Sequence, residues 1–252
     1  MSELQHPKAR GFELVADVYE RARPAYPAET VAWLAGQLDL RPGRTVLDLG
    51  AGTGKLTRSL VETGARVLAL EPGAEMRAQL SAAVPRAEPV AAGAESIPLA
   101  DGSVDAATAA QSFHWFRLDE ALPEIHRVLR PGGGLGLVWN ERDPDDPFQR
   151  KLTELLQPFT SVGRRRMRER GWLEALERSA LFGPLEEHTG GFADELDGAA
   201  LVERVRTISF VALAEERERE RLEDELRALA DAAGGVVRFA YRTQAFVTFS
   251  AG

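Results

Sequence analysis

Between residues 45 and 61 a short apolar run, TVLDL, meets the turn Gly50-Ala51-Gly52-Thr53-Gly54 and then a segment presenting Leu56, Leu60 and Val61 on one helical face. Glycines at alternate positions let a chain turn tightly and approach a ligand closely, while the following helix aims its N-terminus at the loop. Such a strand–loop–helix unit predicts a ligand site at the carboxyl edge of a parallel sheet. The spacing discriminates among ligands. G-x-G-x-G differs from the G-x-G-x-x-G of dinucleotide loops, and Gly54-Lys55 is not the end of a G-x-x-x-x-G-K-[ST] phosphate loop. Two acids flank the unit: Asp48 precedes the loop, and Glu71 ends the next apolar run, where its carboxylate can accept hydrogen bonds from both ribose hydroxyls of a nucleoside.

The alternation continues along the chain, with no internal repeat. RVLAL (66–70) reads as a second strand, EPVAA (88–92) as a third, SVDAATAA (103–110) as a fourth and LGLVW (135–139) as a buried fifth. Between them, Met76, Leu80 and Val84 mark one helix. Leu118, Leu122, Ile125 and Leu129 mark another, ended by RPGGG (130–134). After ERDPDDP (141–147), three amphipathic helices are expected, around 148–159, 172–180 and 213–232, with strands at 185–192 and 238–249. The organisation expected is a single domain, 1–252: a helical front segment over 1–40, a sheet core over 41–140, and cap helices with the last strands over 141–252.

Composition narrows the function classes. The formal charge of −8 argues against a general nucleic-acid binder. The basic run RRRMRER (164–170) reads as a solvated helix face. The absence of cysteine removes disulfides, thiolate metal sites and cysteine nucleophiles. No apolar run approaches the roughly 20 residues of a spanning helix, and MSELQHPKAR (1–10) lacks the apolar core of a secretion signal, so no membrane association and a cytoplasmic location are expected.

Four stretches occur in order: LDLGAGTGKLT (47–57), ALEPGAEM (69–76), AESIPLADGSVDAATAAQSFHWF (94–116) and EIHRVLRPGGGLGLVWNERD (124–143). Together they resemble the class I S-adenosylmethionine-dependent methyltransferases. VYERARPAYP (18–27), RTISFVAL (206–213) and YRTQAFV (241–247) are similar to a small-molecule subgroup, the trans-aconitate and ubiquinone-pathway enzymes. The resemblance implies a Rossmann-like α/β fold with seven mostly parallel strands, an antiparallel last strand and helical cap elements. It implies S-adenosylmethionine as cofactor, S-adenosylhomocysteine as product, a small-molecule acceptor, no metal, and a monomer or homodimer.

Roles follow residue by residue. Gly50, Ala51 and Gly52 would back the methionine part of the cofactor, and Asp48 would brace the loop or reach the cofactor's amino group through water. Glu71 would hold the ribose, Pro72 and Met76 would lie against the adenine, and Ala94 and Glu95 along its polar edge. Gly93 stands where an aspartate often precedes that Ala-Glu pair. Gln111 joins the cofactor set. A front helix bearing Tyr19, Arg23 and Tyr26 would fold over the cofactor, Tyr19 near the cationic sulfur and Arg23 on the methionine carboxylate. Tyr26, His114, Trp115, Trp139 and Asn140 would surround the acceptor, with His114 the candidate base.

Two other readings keep the glycine loop: a cofactor-binding protein with a cyclising or regulatory role, and a nucleotide-dependent oxidoreductase, which the loop spacing disfavours. A nucleic-acid base enzyme is expected to show an Asn/Asp-Pro-Pro-aromatic segment after strand four, where QSFHWF (111–116) stands. A metal-dependent catechol enzyme needs clustered carboxylates, and Asp143, Asp145 and Asp146 read as turn and cap residues.

Overall fold

The computed structural model describes residues 23–159 and 171–251. Helix α1 (Ala28–Gln37) precedes β1 (Thr45–Leu49), α2 (Lys55–Val61), β2 (Arg66–Leu70), α3 (Ala74–Ala83), β3 (Glu88–Val90) and β4 (Val104–Ala110). Then come α4 (Leu118–Val128), β5 (Leu129–Arg142), α5 (Pro147–Leu155), α6 (Gly171–Ser179), β6 (Glu186–Asp197), α7 (Gly198–Arg206), the short α8 (Ser209–Ala212), α9 (Glu216–Ala232) and β7 (Val236–Phe249). The strands form one sheet in the order β3-β2-β1-β4-β5-β7-β6. Strands β1 to β5 are parallel, and β7, the last in sequence, runs antiparallel between β5 and β6. This is the Rossmann-like architecture expected.

The central strands are apolar throughout because both faces are covered. On one face Leu47, Leu49, Leu70, Ala107 and Leu137 pack against Leu122 and Ile125 of α4 and Trp172 and Leu176 of α6. On the other, Val46, Val67, Ala69, Ala106 and Val138 meet Leu34 of α1 and Leu38 just past its end, Leu60 of α2 and Leu80 of α3. Helix α1 lies close to the sheet because Gly134 and Gly136 have no side chain: a Cβ there would sit 2.4 Å from Leu38 Cδ2 and 2.6 Å from Leu34 Cδ1. A third cluster joins α5, α7 and α9 to the start of β7 through Leu152, Leu201, Val205, Leu222, Leu226 and Phe239.

Three expectations need correction. RPGGG does more than end a helix: β5 already begins at Leu129, opposite Val104, and the proline and glycines lie in an irregularity before Gly134 pairs with Ala106. Helix α7 was not among the helices expected. Its signals are present, an N-cap in Asp197, which accepts the Ala200 amide at 2.8 Å, and Leu201 and Val205 one turn apart. Third, Arg23–Pro27 is not helical. Pro24 and Pro27 lack amide donors and hold the residues before them out of the α region, so the segment crosses the sheet edge as a strap. Tyr19 and RRRMRER lie outside the described residues.

Candidate active site

Strands β1 and β4 are neighbours, and the chain winds away from them in opposite directions, which opens a crevice at their carboxyl ends. A cleft lies there. Gly50–Thr53 form one side, Ala110, Gln111 and Asn140 the floor, and Tyr241 a far wall; Arg23, Pro24 and Tyr26 of the strap close over it.

The two glycines ahead of Thr53 serve different purposes, although φ is +61° at Gly50 and +58° at Gly52, both in the left-handed region. A Cβ on Gly50 would meet Ser112 Cβ at 2.8 Å, so that position is dictated by packing. A Cβ on Gly52 would meet nothing within 4 Å. Its bare Cα leaves room beside the loop that a ligand backbone can use.

The two acids also differ. Glu71 accepts the Gly52 amide at Oε2 (2.9 Å) and the Gly73 amide at Oε1 (2.8 Å), which ties the glycine loop to the end of β2. Asp48 is buried beneath the loop, where Thr57 Oγ1 donates to it at 2.6 Å and Thr108 Oγ1 at 3.0 Å. Burial raises its pKa to about 6 against the pull of these hydroxyls, and the nearby Glu71 charge adds to the rise. With both oxygens engaged by threonines, Asp48 ties β1 to α2 and to β4.

At the end of β4 the backbone is strained. Gln111 has φ +58°, an uncommon value for a residue with a side chain. Its amide reaches the Val138 carbonyl at 2.9 Å, its Nε2 donates to the Asn140 carbonyl at 2.7 Å, and the next residue, Ser112, donates from Oγ to the Leu49 carbonyl at 2.8 Å. The Asn140 side chain donates from Nδ2 to the Ala25 carbonyl at 3.2 Å and accepts from Thr243 Oγ1 at 2.7 Å. Asn140 thus fastens the strap to the sheet.

The remaining candidates separate into layers. Met76 and Ala94 are buried, and Pro72 is half-buried at the end of β2. Glu95 accepts the Arg117 amide at 2.9 Å and so joins its loop to the start of α4. Arg127 of α4 holds the carbonyls of Ile97 (2.9 Å) and Leu99 (2.8 Å), fixing that loop from below. Trp139 does not line the cleft: strand alternation turns it to the other face, where it stacks on Trp172 at 4.8 Å. From there its Nε1 donates to His114 Nδ1 at 3.4 Å, and His114 lies against Trp115 with ring centroids 4.8 Å apart. Asp146 caps α5 through the Gln149 amide (3.0 Å), while Asp143 and Asp145 pair with Arg242.

Tyr241 and Arg204 were not singled out from the sequence. Arg204 donates to the Tyr241 hydroxyl and pairs with Asp194 at 2.9 Å. The sequence signals were the alternation of 238–249 and the subgroup likeness of YRTQAFV (241–247), which mark a strand but not the face that meets a cleft.

The family model described as a methyltransferase domain matches residues 47–137. An uncharacterized methyltransferase of Mycobacterium tuberculosis is 44% identical over 184 residues, 68% of this chain and 73% of the relative. The solved structure of a candidate type II methyltransferase from Anaeromyxobacter dehalogenans superposes with TM-score 0.66 at 27% identity, covering 90% of this chain and 97% of that one. Phosphoethanolamine N-methyltransferase 2 of Haemonchus contortus, solved with phosphomonomethylethanolamine and S-adenosylhomocysteine, shares the fold with TM-score 0.55 at 13% identity, over 99% of this chain and 58% of that one.

Proposed function

The chain belongs to the methyltransferase-domain family, and from that premise we propose that it moves the methyl group of S-adenosylmethionine to a small-molecule acceptor by in-line displacement. The observation that carries this reading is the pairing of Gly52, which leaves open space where a Cβ would stand, with Glu71, whose carboxylate braces the same loop at the edge of the cleft. These residues fit the cofactor. Gly50, Ala51 and Gly52 would take its methionine part. Glu71 would take the ribose, because a carboxylate has lone pairs left after accepting two amides. Pro72, Met76, Ala94 and Glu95 would take the adenine, and Arg23 and Gln111 the amino-acid end.

When bound, the cofactor supplies an electrophilic methyl on a sulfonium. The protein's part is then alignment and exclusion of water. Arg23 and Tyr26, which line the cleft, would serve that task. Pro24 lies between them along the same cleft and would help to shield a bound cofactor from water. Tyr26, Trp115 and Asn140 would shape the acceptor side. Trp139 Nε1 donates to His114 Nδ1, which supports giving His114 the role of orienting the wall; a base role would fall to its other ring nitrogen.

Calorimetry tests the reading directly. S-adenosylhomocysteine should bind and NAD should not. Binding of NAD alone would make the protein an oxidoreductase. Binding of S-adenosylhomocysteine without methyl transfer to any of a broad acceptor panel would favour the cyclising or regulatory alternative.

A further inference from the structure

Tyr241 stands on the wall of the cleft opposite the glycine loop. In the strand order β1-β4-β5-β7 it is three strands from Asp48, roughly 14 Å at about 4.8 Å per strand. That is the far side from the glycine loop, while Arg23, assigned to the cofactor's amino-acid end, is near enough to act on the hydroxyl. The ring is buried: Phe192 stacks on it at 4.8 Å with an interplanar angle of 11°, and the Arg204 guanidinium carbon lies 5.7 Å from its centroid.

The hydroxyl is oriented as well. Its oxygen accepts from Arg204 Nη1, and Arg204 is fixed in turn by Asp194. A guanidinium has only donors, so the phenolic proton must point away from it. Among the described residues none accepts that proton. Burial raises the Tyr241 pKa further, against the pull of Arg204 and Arg23, so the group stays protonated at neutral pH. A buried donor without an acceptor is costly, and one whose oxygen already receives a cationic donor is polarised to give a stronger bond.

We infer that Tyr241 is a specificity-determining residue whose Arg204-oriented hydroxyl donates to a negatively charged oxygen on the methyl acceptor. The inference rests on the methyltransferase reading. A charged oxygen could also come from the methionine carboxylate of the cofactor, so the test separates the two sources.

The test uses the full chain and Tyr241→Phe, which keeps the ring, its stacking and the Arg204–Asp194 pair. S-adenosylhomocysteine and 5′-methylthioadenosine, which lacks the carboxylate, are titrated by calorimetry into both proteins. Methyl transfer is followed by S-adenosylhomocysteine release with a panel of carboxylic acids, phenols and phosphate monoesters and their uncharged amide or ether analogues. The expected result is turnover of anionic panel members only, with KM raised about 10-fold in Tyr241→Phe, the loss of one hydrogen bond to a charged group. The S-adenosylhomocysteine Kd should stay within about twofold of wild type. Weaker S-adenosylhomocysteine binding with unchanged 5′-methylthioadenosine binding would assign the hydroxyl to the cofactor and overturn the inference. So would an unchanged KM, preferential turnover of uncharged analogues, or no turnover of any anionic member by a wild type that binds S-adenosylhomocysteine. A wild type that does not bind S-adenosylhomocysteine at all would defeat the methyltransferase reading itself.

Discussion

Glu71 Oε2 accepts the main-chain amide of Gly52 at 2.9 Å, so one carboxylate both shapes the glycine loop and stands at the place proposed for the ribose. Replacing it with alanine removes a charged acceptor and releases the loop. A hydrogen bond to a charged group contributes about 1.5–3 kcal/mol, so Glu71→Ala should bind S-adenosylhomocysteine roughly 10- to 100-fold more weakly in calorimetry. Unchanged affinity in a folded variant would remove Glu71 from the site.

The two left-handed glycines should respond differently to alanine. Gly52→Ala places a methyl in open space, so it should cost only the backbone penalty of about 1–2 kcal/mol and yet abolish cofactor binding. Gly50→Ala pushes a methyl to 2.8 Å from Ser112 Cβ and should lower Tm more. Thermal unfolding of both variants, read beside calorimetry, checks the contrast. Equal affinity of Gly52→Ala and wild type would show that no ligand passes there.

Asp48 gives a pH dependence of stability. Its pKa is raised from 3.8 to about 6 in the folded chain, so folding disfavours the charged form. The cost is absent below pH 3.8, grows as pH rises toward 6 and is constant above it. At 1.36 kcal/mol per pKa unit this approaches about 3 kcal/mol. Asp48→Asn should therefore gain stability relative to wild type across that window, seen as a Tm difference that opens between pH 4 and 7. A difference that stays flat with pH would mean Asp48 does not titrate there.

Asn140 fastens Ala25 and Thr243 to one side chain. Asn140→Ala strands a buried threonine hydroxyl and should cost about 1–3 kcal/mol. By freeing the strap it should also slow turnover more than it weakens S-adenosylhomocysteine binding. Equal effects on both would mean the strap does not take part in aligning the reactants.

For His114, the pH–rate profile of His114→Gln should keep the shape and plateau of wild type, in keeping with a wall-orienting role for a ring whose Nδ1 accepts from Trp139. A lost basic limb in the variant would restore the base role.

Local periodicity was enough to place β1, β2, β4, the helices expected after them and the glycine loop, though not the strap at Arg23–Pro27, because a strand or helix covered on known faces writes its period into neighbouring residues. Glu71 was likewise readable, since its place at the end of β2 follows from strand length alone. The partners of these residues were not readable. Arg23 reaches the Thr207 carbonyl across 184 residues, and Asn140 reaches Ala25 across 115. Trp139 and Trp115 look alike in the chain, yet strand alternation sends the first into the core while the second follows the strained turn at Gln111. Tyr241 became part of the cleft wall only when β7 paired antiparallel to β5 and set Tyr241 opposite Arg142. Elements are encoded by contacts a few residues apart. The site is assembled by sheet register and by side chains far apart in sequence, and these exist only after the chain has folded.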